Sequence, residues 1–550
     1  MMHRLLLLAA GALHALNFSA SPLPAWSLSS IQIITLALLA WHVFRAANVR
    51  QAAGSAAWFS ISNFCVGIYW LFISMNTYGA LAAPLAAAAV FLLSAYLSLY
   101  PILAASVTRY LSNRNLSSFI LVWAGCQALS EWLRSFIFTG FPWSSTGYAH
   151  TDGALSGWAP VLGVYGVGFM AALVSALLAA GLVYLHKQQQ KKSILCLAFI
   201  VGLFMLSVGL KQLSWHQPHG NPISIRLVQG NISQDRKFHP DTMMESMYEN
   251  FDLALLEPAD PEAPAKVIIF PETIIPGFQN RMSPEFWQSV TQIAEHTQSV
   301  FFMGVPLRTL DHRGERFTNS VIALDGNTST EALMSGLELP VYDKQHLVPF
   351  GEFIPYGFRW FVHALGIPLG DFDRGTAFQH NFVVEEQVFA PNICYEDVFG
   401  EELLPALFAR PDGSPGASIM FNVSNLAWFG NTFALGQHLQ IARMRSMETA
   451  RPMVRATNTG TTAAIDANGN LIAALPTAIP GVLDVQVQGT QGYTLYARTG
   501  NSLVIILSLL CIALGVLIRK KSLIFSQKIF LASTKTIFFG KKTSFSEANH

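Results

Sequence analysis

The sequence contains few charged residues. Asp, Glu, Lys and Arg make up 12% of its 550 residues, whereas they make up roughly 25% of an ordinary soluble protein. Apolar residues account for 52%, and the mean hydropathy is +0.38. This composition excludes an ordinary soluble protein and indicates an integral membrane protein.

Cysteine is also scarce. Of the five cysteines, Cys65, Cys126, Cys196 and Cys511 lie in apolar runs, and only Cys394 lies in a polar region. That region can therefore form no internal disulfide. In an oxidising compartment an unpaired cysteine is a candidate reactive thiol. The alternative is a buried cysteine that acts as a small apolar side chain.

Acidic residues are nearly confined to residues 235–448, so a polar domain lies between apolar flanks. Seven apolar stretches precede this domain and one follows it, each near the roughly 20 residues that cross a bilayer. The first is short and resembles a signal peptide, but no clear cleavage site follows it, so a retained helix is favoured. The sequence thus predicts four regions: a seven-helix membrane bundle over 1–211, a polar domain over 212–501, a final membrane helix over 502–519 and a basic tail over 520–550.

Lys and Arg mark every second connection between the apolar stretches, and the intervening loops contain neither residue. Because cytoplasmic loops carry the excess of Lys and Arg, both termini are predicted to be cytoplasmic and the polar domain extracytoplasmic. The basic tail is expected to lie against anionic lipid headgroups or, equally well, to be disordered in solvent.

An extracytoplasmic loop over 138–148 is rich in aromatic residues, glycine and proline, and Glu131 and Arg134 precede it. Trp143 in this loop fits the aromatic belt at a membrane interface. The loop also fits a lipid entry site, because ionisable residues within a span are costly and usually functional. Apolar residues over 353–372 are a second candidate for the bilayer edge, or ordinary core.

In the polar domain, short apolar strands alternate with helical patterns. This alternation predicts a layered α/β domain with two sheets stacked face to face and helices outside. Helices are expected over 241–256 and 283–295, and strands over 223–229, 267–270, 300–305, 320–324, 382–389, 418–423 and 453–457.

Reactive residues follow three of the expected strands. Glu272 follows an apolar strand, where burial would raise its pKa towards values useful for a general base; the alternative is a helix cap or a solvated loop residue. Lys344 lies among apolar and aromatic residues, where it would stabilise a thiolate and an oxyanion; the alternative is a surface lysine. His346 is interpreted as structural.

Cys394 is the third. The run over 388–399 predicts a strand, a sharp turn at Cys394 and then a helix N-terminus. The partial positive charge of such an N-terminus would lower the pKa of the thiol and so raise its reactivity.

The motifs around these three residues are Phe-Pro-Glu272, Asp-Lys344-Gln-His-Leu-Val-Pro-Phe-Gly-Glu352 and Asn-Ile-Cys394-Tyr-Glu-Asp. They resemble the Glu-Lys-Cys motifs of the nitrilase superfamily. Together with the predicted spans, the inserted polar domain and the segments 227–234 and 421–430, they make the chain similar to the membrane-embedded branch of that superfamily, the apolipoprotein N-acyltransferase family.

The resemblance implies a multi-span helical bundle with an α-β-β-α sandwich, located in a bacterial inner membrane. It also implies transfer of a fatty acyl chain from a phospholipid to Cys394 as a thioester, and then to the α-amino group of a diacylglyceryl-cysteine on an apolipoprotein. In this ping-pong reaction Cys394 attacks, Glu272 moves protons and Lys344 stabilises the thiolate and oxyanion. Membrane lipids are further partners. No metal, soluble cofactor or nucleic acid is predicted.

Supporting roles follow from the same motifs. The backbone N–H of Tyr395 is expected to assist Lys344, and Glu352 and Glu396 to orient the lysine or the incoming amine. Candidate substrate-binding residues are Phe238, Trp143 and Trp428. Two positions depart from the family pattern, because Phe238 stands where tryptophan is expected and Leu426 where an acidic residue is common.

Two alternatives remain open. A membrane-anchored amidase of the nitrilase type would use the same three residues but pass the acyl group to water. A transporter or receptor would use the polar domain only to bind a ligand, but the spans contain few ionisable residues, unlike an ion pathway.

Overall fold

The computed structural model describes residues 1–18, 23–311, 314–359 and 371–540, with side chains for these ranges up to residue 522 except residue 311. Most of the apolar segment predicted at the bilayer edge, residues 360–370, and the end of the basic tail, residues 541–550, lie outside the described residues.

Helices occupy all eight apolar stretches. In chain order, including the short helix α4, they are α1 (Met2–Ala15), α2 (Ala25–Arg45), α3 (Val49–Gly67), α4 (Leu71–Ile73, continued by a π-helix over Ser74–Tyr78), α5 (Ala83–Ser112), α6 (Leu116–Arg134), α7 (Ala159–His186), α8 (Gln190–Lys211) and, after the polar domain, α16 (Ser502–Gly540). The seven long helices of the first 211 residues pack together, with α7 buried along most of its length against α2, α6 and α8.

Five of the described helices are long and apolar enough to cross a membrane, or six if α3 is counted with the segment that follows it at a bend of 57°. Helix α1 has only 14 residues, and α6 carries Glu131 and Arg134 in its last turn. Membrane crossing by α1 and α6 therefore stays a prediction.

The last helix is longer than expected from the sequence. Helix α16 continues to Gly540, whereas its end was predicted at residue 519. The reason is local, because the segment 516–539 contains neither glycine nor proline, and these residues give the strongest signals for a helix end.

The polar domain contains two six-stranded sheets that pack face to face. The order in the first sheet is β13-β2-β3-β4-β5-β6 and in the second β12-β11-β10-β9-β8-β7. The strands are β1 (Gln217–Pro218), β2 (Ile223–Gln229), β3 (Val267–Ile269), β4 (Val300–Asp311), β5 (Gly314–Leu324), β6 (Val341–Asp343), β7 (Phe382–Val384), β8 (Gln387–Ile393), β9 (Ile419–Ser424), β10 (Met453–Thr457), β11 (Ala463–Ile465), β12 (Leu471–Ala474), β13 (Gly481–Val487) and β14 (Thr490–Gln491).

Buried apolar residues from both sheets, such as Phe302 and Phe421, fill the space between them. Helices cover the outer faces: α10 and α11 pack on the first sheet, and α14 packs on the second. The helices of the domain are α9 (Gln234–Phe238), α10 (Met243–Ala254), α11 (Pro284–Thr297), α12 (Thr330–Ser335), α13 (Gly400–Leu403), α14 (Phe433–Thr449) and α15 (Leu495–Thr499). The predicted α-β-β-α sandwich is confirmed.

The seven predicted strands all overlap observed strands, but those predicted over 300–305 and 320–324 are longer in the structure, and one prediction was wrong. Residues 382–389 were predicted as a single strand, whereas they belong to two antiparallel strands, β7 and β8. The chain turns at Glu385, which has a φ of +52°. Glutamate gives no turn signal of the kind that glycine or asparagine gives, so the sequence did not reveal this turn.

The two ends of the polar domain are joined by a small ribbon. Strand β1 follows α8 and pairs antiparallel with β14, which precedes α16. Gln217 lies opposite Gln491 in this pair. The chain therefore enters and leaves the sandwich at the same place.

Candidate active site

The three reactive residues of the sequence motifs lie together where strands of both sheets end. Glu272 follows β3 and Lys344 follows β6, both in the first sheet, and Cys394 follows β8 in the second sheet. The Lys344 ammonium lies 3.3 Å from the Glu272 carboxylate, and the Cys394 thiol interacts electrostatically with both groups. Strand ends from two sheets thus assemble one site.

Lys344 is held by two carboxylates. Its Nζ atom donates to Oε1 of Glu272 at 3.3 Å and to Oε1 of Glu352 at 2.9 Å. The Asn319 side-chain amide donates to the same two oxygen atoms, at 2.8 Å and 2.6 Å. The lysine side chain is only 1% exposed, so this is a buried, charge-assisted network with little freedom to move.

Cys394 lies at a sharp turn, as predicted. Its φ is +52°, a left-handed conformation that is uncommon for residues other than glycine and is often found at functional sites. The residue ends the fully buried strand β8 and begins a 3₁₀-helix over Cys394–Val398. The residue as a whole is partly exposed, although its thiol is surrounded closely enough to be desolvated.

The expected effect of this turn on the thiol was wrong. Burial raises the pKa of the Cys394 thiol above its ordinary value, and the neighbouring Glu272 carboxylate raises it further. The Lys344 ammonium and the backbone N–H of Asn425 offset this only in part. The resting thiol is therefore protonated, and its attack needs a base.

Glu272 is the neighbouring carboxylate that can act as this base, but the prediction that its pKa is raised was wrong. Burial alone would raise its pKa, yet Lys344, Asn319 and the backbone N–H of Asn425, 2.9 Å from Oε2, together hold the pKa below the ordinary value. The carboxylate is therefore ionised and able to accept a proton.

Glu396, which was expected to orient the lysine or the incoming amine, interacts electrostatically with the Lys344 ammonium, but its hydrogen bonds among the described residues are to other groups. Its carboxylate accepts hydrogen bonds from the backbone N–H groups of Gln345 (2.6 Å), His346 (3.1 Å) and Ile393 (2.7 Å), and from the Tyr342 hydroxyl. Glu396 thereby connects the loop after Lys344 to the turn at Cys394. Burial raises the pKa of Glu396 to about 7, although the hydrogen bonds from the backbone N–H groups act in the opposite direction and lower it.

Tyr395 and Trp143 connect the site to the membrane bundle. The Tyr395 hydroxyl donates to the Gly140 carbonyl at 3.2 Å, and its ring stacks against Trp143. Trp143 is only 2% exposed, and its indole N–H donates to Gln437 on α14 at 2.7 Å. Although it was predicted to bind substrate, Trp143 therefore lies in a packed interface between the bundle and the sandwich.

Phe238 and Trp428, the other two candidate substrate-binding residues, are accessible. They are 46% and 37% exposed, and their ring centroids are 6.1 Å apart. Trp428 also contacts Tyr78 of the bent segment after α3, at 5.7 Å. These rings form an apolar surface that begins on the sandwich and continues onto the bundle.

Sequence reasoning missed three residues of the site: Asn319, Asn425 and Lys237. Lys237 is 4% exposed, and its ammonium donates to the backbone carbonyl of Glu272 at 3.3 Å. Burial lowers the pKa of Lys237 to about 8, with a small opposing effect from Glu272. Two of these residues lie next to positions that the sequence analysis did single out: Lys237 precedes Phe238, and Asn425 lies in the segment 421–430 that resembles the family. These positions suggested proximity to the site, but they did not indicate what either side chain does.

No group of three or more His, Cys, Asp or Glu side chains among the described residues is arranged to hold a metal ion. The polar groups of the site are instead paired with one another, as in the contacts of Lys344 with Glu272 and Glu352.

Comparisons with known proteins identify two family domains in the chain. The apolipoprotein N-acyltransferase N-terminal domain matches residues 10–177, and the carbon-nitrogen hydrolase domain matches residues 224–494. The apolipoprotein N-acyltransferase of Bordetella bronchiseptica is 49% identical over 90% of this chain and 93% of that protein. The protein of the same name from Ralstonia nicotianae is 43% identical over 90% of this chain and 89% of its own length.

Among solved structures, XC1258 from Xanthomonas campestris, a CN-hydrolase superfamily protein with an arsenic adduct in its active site, is similar to part of this chain. The two are 18% identical with a TM-score of 0.32, and the match covers 49% of this chain and 91% of that chain.

Proposed function

The chain belongs to the apolipoprotein N-acyltransferase family, and from this premise we propose that Cys394, Glu272 and Lys344 carry out a two-step acyl transfer. The donor is a phospholipid, and the acceptor is the free α-amino group of a diacylglyceryl-cysteine at the N-terminus of an apolipoprotein. The observation that carries the proposal is the buried Lys344 ammonium, held between Glu272 and Glu352 and interacting with the Cys394 thiol.

In the first step, the Glu272 carboxylate removes the thiol proton while the sulfur attacks the ester carbonyl of the phospholipid. The carbonyl oxygen gains the negative charge and is stabilised by an N–H of Lys344. The tetrahedral intermediate then expels the glycerol oxygen, which takes the proton from Glu272. The products are a thioester on Cys394 and a lysophospholipid.

In the second step, the amine of the apolipoprotein attacks the thioester carbonyl. Glu272 takes a proton from the attacking nitrogen, and Lys344 again stabilises the oxyanion. The sulfur leaves as the amide forms, and Glu272 returns the proton to it. One carboxylate thus serves both steps as base and acid.

The location of the site explains the membrane bundle. Exposing a lipid chain to water costs about 0.8 kcal/mol per methylene, so the acyl chain must reach Cys394 along an apolar path. The surface formed by Phe238, Trp428 and Tyr78 extends from the sandwich to the bundle. This surface supports binding of the acyl chain between the sandwich and the bundle. In the proposed orientation, the sandwich lies on the extracytoplasmic side of a bacterial inner membrane and both termini lie in the cytoplasm.

The intact mass of the purified protein tests the proposal. Incubation with phospholipid is expected to add the mass of one fatty acyl group, and Cys394→Ser is expected to abolish this addition. Cys511→Ser is the matched control, because Cys511 is also partly exposed and lies in α16, outside the sandwich. Addition of an acceptor peptide should then remove the acyl group from the enzyme.

Two results would contradict the proposal. An unchanged mass after incubation with phospholipid would exclude an acyl-enzyme intermediate. Release of free fatty acid from the acyl-enzyme, with no N-acylated peptide formed, would show that water is the acceptor and would favour the amidase alternative.

A further inference from the structure

The peptide group that joins Cys394 to Tyr395 is held by two side chains. The Cys394 carbonyl accepts a hydrogen bond from Nε2 of His438 at 3.1 Å and from the side-chain amide of Asn422 at 3.3 Å. His438 lies on α14 and Asn422 on β9, and both are fully buried. Two separate elements thus converge on one backbone oxygen next to the nucleophile.

Arg455 fixes the proton on the His438 ring. Its guanidinium lies 2.5 Å from Nδ1 of His438 and also donates to the backbone carbonyl of His438 at 2.9 Å. Arginine only donates hydrogen bonds, so Nδ1 is the acceptor and the ring hydrogen is on Nε2. Burial, reinforced by Arg455, holds the pKa of His438 well below its ordinary value. His438 is therefore a neutral donor to the Cys394 carbonyl.

The direction of this carbonyl determines the direction of the next N–H. In a trans peptide the C=O and N–H bonds point to opposite sides. His438 and Asn422 draw the carbonyl towards α14, which covers the outer face of the second sheet. The N–H of Tyr395 consequently points to the inner side, where the first sheet supplies Lys344 and Glu272.

The same hydrogen bonds strengthen the N–H as a donor. A carbonyl that accepts hydrogen bonds polarises its peptide group, and such chains are cooperative by roughly 10–30% per bond. An oxyanion is stabilised best by donors that are already aligned before the charge develops.

We propose that His438 and Asn422 are positioning residues that aim the Tyr395 N–H at the carbonyl oxygen of the acyl group on Cys394, where it acts with Lys344. This inference rests on the proposed acyl-enzyme mechanism. It assigns a role to Arg455 as well, since Arg455 determines which nitrogen of His438 carries the hydrogen.

Infrared spectroscopy of the acyl-enzyme tests the inference directly. A phospholipid labelled with ¹³C at the ester carbonyl is incubated with the protein without acceptor, and the thioester C=O band is isolated from the ¹²C-minus-¹³C difference spectrum. Hydrogen bonds to the thioester oxygen lower the frequency of this band. Acylation rate constants and the KM for phospholipid are measured on the same samples.

The variants His438→Phe and Asn422→Leu each remove one donor to the Cys394 carbonyl. Both are expected to move the thioester band to higher frequency and to slow acylation by about 10- to 100-fold, less than the roughly 100- to 1000-fold that follows removal of an oxyanion donor. The KM for phospholipid should stay within about twofold of the wild-type value, because both side chains are fully buried. His438→Gln retains an N–H donor and is expected to restore part of both effects.

Gln440→Met is the matched control, because Gln440 lies two residues from His438 on α14 and its buried Oε1 accepts no hydrogen bond from a described residue. Gln440→Met should leave both the frequency of the thioester band and the acylation rate constant unchanged. An acyl-enzyme that forms in both variants with the wild-type frequency would overturn the inference while leaving the proposed function intact. Absence of any thioester band in the wild-type protein would instead overturn the proposed function. The frequency of the thioester band does not depend on the amount of acyl-enzyme, so partial loss of stability lowers the intensity of the band and leaves its position readable.

Discussion

Asn319 shows how a single uncharged residue keeps the site together. Glu272 and Glu352 both direct an oxygen at Lys344, and one ammonium cannot neutralise two carboxylates. The Asn319 amide supplies additional N–H groups to the same oxygens. A hydrogen bond to a charged group contributes about 1.5–3 kcal/mol, so Asn319 helps to hold the two carboxylates together around Lys344 and to lower the pKa of Glu272.

Lys237 provides a prediction on pH dependence. Burial lowers the pKa of Lys237 to about 8, whereas the ordinary value is 10.5. Folding therefore carries a penalty for the buried ammonium that is complete below pH 8 and disappears as the pH rises to about 10.5. Lys237→Met should raise the free energy of unfolding at pH 7 by roughly 2 kcal/mol, allowing about 1 kcal/mol for the lost hydrogen bond to Glu272.

Thermal unfolding in detergent from pH 7 to 10.5 checks this prediction. The difference in melting temperature between Lys237→Met and the wild-type protein should decrease across this range. Lys266→Met, at a lysine outside the site, is the control and should show no such trend. A constant difference between Lys237→Met and wild type would contradict the lowered pKa.

The reactive residues were predictable from the sequence, but their ionisation was not. A short apolar strand precedes each of Glu272, Lys344 and Cys394, and the amino-acid sequence alone shows this placement. Asn319 lies within a strand and has no such signal. The pKa of Cys394 depends on burial and on the distance to Glu272, which is far away in sequence, so local reasoning from the turn gave the opposite direction.

At the scale of elements, α14 connects the membrane bundle to the nucleophile. Gln437 on this helix accepts hydrogen bonds from the indole N–H groups of Trp70 (3.1 Å) and Trp143 (2.7 Å). The next residue, His438, donates to the Cys394 carbonyl. One turn of α14 therefore contacts both the bent membrane segment and the active-site turn.

Gln437→Leu is expected to lower the free energy of unfolding by about 1–3 kcal/mol. The variant leaves the buried Trp143 N–H without its acceptor, and an unsatisfied buried donor costs about that much. Trp70 retains the Gly67 carbonyl at 3.1 Å and should contribute little to the loss. The melting temperature in detergent measures the effect, with Gln440→Met on the same helix as control. Equal melting temperatures for the two variants would show that the hydrogen bond between Trp143 and Gln437 does not stabilise the protein.

The positions of most strands were predictable, but the ends of the longest strands were not. The strands over 223–229 and 453–457 match their predicted bounds, whereas β4 and β5 are longer than the segments predicted over 300–305 and 320–324. Strands β6 and β11 have only three residues each, too few for a period to be recognised. Their existence depends on pairing with neighbouring strands, which is a property of the whole sheet.

At the scale of the whole molecule, the distribution of Lys and Arg predicts which side of the membrane each part occupies. Asn327→Cys places a thiol on an exposed residue of the polar domain, in the turn after β5, and Gln189→Cys places one in the exposed connection between α7 and α8. A maleimide that does not cross membranes should label Asn327→Cys in intact spheroplasts. It should label Gln189→Cys only after permeabilisation, because that connection carries the basic residues of a cytoplasmic loop.

The wild-type protein gives the background labelling of the five native cysteines and is the control for both variants. The reverse pattern would place the polar domain in the cytoplasm. It would then separate the catalytic residues from an extracytoplasmic acceptor and contradict the proposed location.

The ribbon of β1 and β14 has a consequence for how such a protein is assembled. Because Gln217 and Gln491 face each other, the catalytic unit starts and finishes at neighbouring points. Domains with adjacent ends tolerate insertion into a host chain and circular permutation. A sandwich of this shape can be inserted into a series of membrane helices at a single position, and its packing against the bundle, as in the hydrogen bond of Trp143 to Gln437, must then develop after the insertion.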